Sequence, residues 1–154
     1  MQYYRAKKQQ EELLKFFIHL SIPRKNIEHC VDIKGDEFCG YRTIPYHTEG
    51  SQDAFIEVKK KMLNCFQINK SVYEKHYWYM WESLPIIEEA LAYGAENSIP
   101  PTFCPVEYWF TTPHFAQVAA DTYRCPVAVY TDNITKKKPN TDDFVLELLI
   151  YVPF

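Results

Sequence analysis

The stretch KGDEFCGYR, residues 34–42, decides how the rest of the chain is read. Asp36 stands three residues before Cys39, and Gly40 follows the cysteine at once. Cysteine attacks as the thiolate, and both a helix N-terminus and a nearby imidazolium favour that form. A helix opening at GYRTIPYH would set the Cys39 sulfur at its positive end. The turn before it would aim backbone N–H groups at a developing oxyanion. A cysteine beside a glycine is common, so spacing alone leaves open whether this is a reactive site or a cysteine in a turn.

The bulk composition bounds the answer. The chain has 154 residues, enough for one domain with its own core. Apolar residues make up 47% and aromatic residues 16%, which argues against disorder. A net charge of -3 gives no reason to expect a nucleic-acid surface. The runs Lys7-Lys8, Lys59-Lys60-Lys61 and Lys136-Lys137-Lys138 read as solvated faces or turns. No segment is long and apolar enough for a membrane span, and the polar start MQYYRAKKQQEELLKFF has no signal-peptide core. The expectation is an intracellular protein, in cytoplasm or nucleus, without a membrane partner. Five cysteines without paired spacing argue against a disulfide framework, and no zinc motif or cofactor motif occurs. Cys30, Cys65, Cys104 and Cys125 read as small buried hydrophobes.

Hydrophobic periodicity predicts a helix over 5–20 and a second from Gln52 to about Ile68, with Phe55, Met62 and Phe66 inward, joined by Val58 or Leu63. Ser51 would cap that helix, and Asp53 would favour its dipole. Pro45 should cut short the helix after Cys39. Residues 72–81 read as helical, Pro85 starts a further helix and Gly94 ends it. Thr112-Pro113 signals a helix to about Tyr123, with Phe115, Val118 and Ala119 inward. Strands are expected at 126–130 and 143–152, around a polar turn at 136–142. This order predicts an α+β domain, helices packed on a small, mostly antiparallel sheet.

Two stretches together resemble a family. GDEFCGYR is similar to the signature of the ovarian-tumour (OTU) cysteine proteases, Gly-Asp-Gly-Asn-Cys or Gly-Asp-Gly-His-Cys followed by Gly-Tyr-Arg or Leu-Phe-Arg. EYWFTTPHFAQVAADTYRCPVAVY, residues 107–130, resembles the family's tryptophan, polar turn, helix and strand. The likeness covers roughly residues 22–152 and is to the transposon-associated OTU-like proteins in particular. It implies a papain-like OTU-type domain over 22–154, preceded by an N-terminal helix in 1–21. It also implies deubiquitinase activity, cleaving ubiquitin from lysine side chains or from other ubiquitins. By position Cys39 matches the nucleophile and Asp36 the motif aspartate, often counted with the active site. Arg42 matches the helix arginine and Trp109 a packing tryptophan.

The resemblance also marks departures. Glu37 stands for the motif glycine, where a positive φ would strain any side chain, and its carboxylate would lie near a developing oxyanion and oppose it. Phe38 stands for a polar residue. The family histidine lies on a strand beyond the one expected at 143–152, and no histidine follows His114. The domain is therefore expected to be C-terminally incomplete, with weak or absent hydrolysis for want of a base. The alternative is a non-catalytic OTU-like module that binds ubiquitin or another protein. Ubiquitin or ubiquitinated proteins are the implied partners. Self-association through an unpaired sheet edge at 143–152 is expected as well.

Overall fold

A computed structural model describes residues 22–27, 30–76, 84–97, 99–133 and 145–153. The helix expected over 5–20 and the turn expected at 136–142 lie outside these residues. The chain divides into two units, Met1–Asp32 and Ile33–Phe154. The first contains a 3₁₀ turn, Arg24–Asn26, started by Pro23, whose carbonyl accepts from Asn26 N–H at 2.8 Å.

The second unit holds five helices among its described residues: α1 Cys39–Thr48, α2 Phe55–Ile68, α3 Lys70–His76, α4 Leu84–Ala92 and α5 His114–Tyr123. Two strands follow, β1 Val127–Asn133 and β2 Val145–Tyr151. They pair antiparallel, from Val127 opposite Tyr151 to Asn133 opposite Val145. The unit is thus mostly helical with one strand pair. The small, mostly antiparallel sheet expected is represented among the described residues by this one pair, and no OTU-type sheet is shown.

Local chemistry explains most boundaries. The Ser51 hydroxyl accepts from Asp53 N–H at 3.2 Å and caps a 3₁₀ turn, Gln52–Ala54. That turn feeds α2, so the helix expected from Gln52 becomes α-helical only at Phe55. Phe55, Val58, Met62 and Phe66 are buried at helical spacing. Gly94 leaves α4 with φ +75, and a Cβ there would lie 2.7 Å from Pro101 Cδ. Both the turn and the close approach require glycine. Pro113 caps α5, which buries Phe115, Val118 and Ala119. Ala116 and Ala120 on α5 pack against Tyr151, with Val127 and Val129 alongside.

Buried polar groups tie these elements. Tyr73 on α3 donates to Asp121 Oδ2 at 2.8 Å. Gln117 Nε2 donates to Asp121 Oδ1 at 3.0 Å and to the Val152 carbonyl at 2.9 Å. One network therefore joins α3, α5 and the segment after β2.

Pro45 does not break α1, contrary to the sequence expectation. The helix runs through it to Thr48, and the Pro45 carbonyl still accepts from Glu49 N–H at 2.8 Å. Its ring is fully buried. Burial of the ring offsets the one donor that proline lacks.

Candidate functional site around Cys39

Asp36 organises the turn before Cys39. Its Oδ1 accepts from Phe38 N–H at 3.0 Å, and its carbonyl accepts from Cys39 N–H at 3.0 Å. Arg42, one turn into α1, reaches back to it. Arg42 Nε donates to both carboxylate oxygens at 3.1 and 2.9 Å, and Nη2 lies 2.9 Å from Oδ2. Arg42 Nη1 meets the Gln52 carbonyl and Asp53 Oδ1, each at 3.2 Å. The guanidinium lies 4.2 Å from the centre of the Phe55 ring. This planar fork is what arginine, not lysine, supplies.

Burial pushes the Asp36 carboxyl up, but Arg42, Phe38 N–H and the Lys34 charge together hold it below its ordinary value of 3.8. Asp36 therefore shapes the turn as an anion. Cys39 is the first residue of α1 and is exposed.

One sequence concern about this turn dissolves. The only non-glycine residue with positive φ among the described residues is Arg124, so Glu37 carries no such strain. Phe38 brings no polar group beside Cys39. It is buried in the core, its ring 4.9 Å from that of Phe55.

The second matched stretch meets the first. A Cβ on Gly40 would fall 2.8 Å from Phe110 Cγ, so the helix and residue 110 touch without room for a methyl group. The Tyr41 hydroxyl donates to the Tyr108 carbonyl at 3.1 Å. Its ring stands edge-on to Phe110 at 5.3 Å and to Phe115 at 5.6 Å. Trp109 is 44% exposed, and its indole N–H donates to the Cys104 carbonyl at 3.1 Å. It fixes the loop more than it fills the core.

No histidine is brought into hydrogen bond with Cys39 among the described residues. His47 lies in the last turn of α1, about 12 Å from Cys39 along the helix axis at the usual rise. His114 opens α5 and His76 closes α3. His19 and His29 fall outside the described residues. No three His, Cys, Asp or Glu side chains gather as a metal-ligand set among the described residues.

The sequence reading of the other cysteines needs correction. Only Cys104 is buried; Cys30 and Cys65 are partly exposed and Cys125 is exposed. The larger correction concerns Lys59. In a Lys-Lys-Lys run it read as solvated, yet it is 0% exposed and its Nζ has no hydrogen-bond partner. Three rings surround the nitrogen: Tyr41 at 4.6 Å, Phe38 at 5.5 Å and Tyr93 at 5.6 Å. Burial pushes its pKa down to about 8, against a weaker upward pull from Cys104. Cys104 is in turn pushed up by burial, with Lys59 opposing and Glu37, Glu107 and Asp36 adding to the rise. The position of Lys59 on the stripe of Phe55, Met62 and Phe66 was the only signal in the sequence.

No protein-family model matches the chain, and no curated protein or solved structure is significantly similar to it. Among the described residues, no helix is long and apolar enough to cross a membrane.

Proposed function

We propose that this chain is an OTU-like cysteine hydrolase domain directed at ubiquitin conjugates, with Cys39 as nucleophile and slow turnover. The observation that carries the reading is the turn itself. An exposed thiol heads a helix of ten residues, and a carboxylate locked by a buried arginine holds the turn in front of it. Contact between Gly40 and Phe110 adds support, because both stretches that resemble the family meet there. In the reaction the Cys39 thiolate would attack the isopeptide carbonyl. The C–N bond would then break, leaving a thioester on Cys39, and the lysine amine would leave with a proton; water would hydrolyse the thioester to a carboxylate and free the thiol. A base placed at the sulfur normally supplies that proton relay. No imidazole takes that position among the described residues, which is why turnover is read as slow.

The second reading, favoured by the same missing imidazole, is an OTU-like module that binds ubiquitin or another protein without cleaving it. Ubiquitin carrying a C-terminal vinyl sulfone separates the two. Labelling of Cys39 that vanishes in Cys39→Ser supports the hydrolase. Binding without labelling supports the module, and neither binding nor labelling removes ubiquitin from consideration.

A further inference from the structure

We infer that Lys59 is a positioning residue for the Cys39 turn, working as an uncharged amine that keeps the turn packed and as an ammonium that loosens it. The argument starts from packing. Phe38 and Tyr41 bracket Cys39 and Gly40 in the chain, and their rings form two walls of the Lys59 enclosure. Tyr93, beyond α4, forms the third. The amine has no acceptor within this enclosure and no access to water.

A neutral amine is tolerated there as the tip of a long apolar stem. An ammonium is not, because it has lost its hydration and gained only ring faces. Ring faces attract a cation, but they replace a full water shell poorly, so burial outweighs them. The other titratable groups around the enclosure do not reverse this. Tyr41 is kept neutral, its pKa raised by burial. Cys104 lies close enough to interact with Lys59, and burial holds its thiol in the protonated form. The carboxylates of Asp36, Glu37 and Glu107 act on Cys104, and Asp36 is already engaged by Arg42. The ammonium gains water when one of the three rings moves; movement of Phe38 or Tyr41 carries the residues around Cys39 with it, whereas movement of Tyr93 would leave them in place.

The sign follows. The folded amine releases its proton at about 8, the free amine at 10.5. Stabilisation of the closed turn is complete above the free value and is lost as pH falls through the folded one. Opening of the turn should therefore decrease as pH rises through the interval between them.

The inference rests on the Cys39 turn being the reactive element, but its test does not involve ubiquitin or hydrolysis. Amide hydrogen exchange of residues 36–42, corrected for intrinsic rates, reads the opening directly. With the titration shift above, the opening constant should fall about tenfold between about pH 6.5 and about pH 9. Lys59→Met should abolish the dependence, which a purely structural residue would not control. A flat profile in the unaltered protein, or an unchanged profile in Lys59→Met, overturns the inference. Should Lys59→Met fail to fold, the side-chain NMR titration of Lys59 in the unaltered protein decides. An ordinary lysine titration overturns the inference. A titration near 8 together with the tenfold exchange profile sustains it. Loss of Cys39 labelling with this profile intact would remove the hydrolase reading alone.

Discussion

Arg42 is where the chemistry of the turn concentrates. Its guanidinium meets the Asp36 carboxylate, the Gln52 carbonyl and the Phe55 ring at once. Arg42→Ala would leave a carboxylate only 19% exposed without its main partner. The expected loss is about 3 kcal/mol in urea unfolding, and Arg42→Lys should recover less than half of it. The lowered pKa of Asp36 stabilises the fold above the ordinary carboxylate range, and that contribution disappears as pH falls through the lowered value. The same variant should therefore also flatten the acid side of the stability profile. Retention of full stability by Arg42→Ala would show that the clamp is ornamental. Asp36, Cys39 and Arg42 were within reach of the sequence because each stands three residues from the next along the chain. Lys59 was legible only as a position on the apolar stripe of α2; its enclosure depends on rings contributed by residues 38, 41 and 93, which no local pattern brings together.

Among the elements, those with strong local signals came out as read. The stripe of α2, the proline start of α4 and the Thr112-Pro113 entry to α5 each depend on residues within a turn or two. Pro45 was misjudged because its local penalty is offset by tertiary burial of its ring. The interface between α1 and residue 110 was invisible for the same reason, since nothing near Gly40 announces Phe110. It is open to a double-mutant cycle. Gly40→Ala should cost about 2 kcal/mol by overpacking, and Phe110→Ala in that background should cost less than it does alone. Strict additivity in thermal unfolding would mean that the two residues do not press on each other.

For the molecule as a whole, the strand pair is the exposed point. Among the described residues β1 and β2 pair only with each other, and an outer strand edge left open is a template for pairing with a second copy. Self-association through a second copy is the expected result. Sedimentation at rising concentration should show growing mass, and a monomer of constant mass with a high melting temperature would contradict it. The antiparallel pairing was foreseeable from two β-rich runs around a polar stretch, though its register was not. How the pair seats on α5 was not, because it depends on small residues, Ala116 and Ala120, opposite Tyr151.

The contact between Gly40 and Phe110 also limits how such a sequence can drift. A mutation that gives position 40 a side chain presses on Phe110, and a smaller residue at 110 would relieve it. Each stretch on its own is short and tolerant, and each can erode beyond recognition. Joined in this way, the two stretches constrain each other, and a substitution at either position is felt at both.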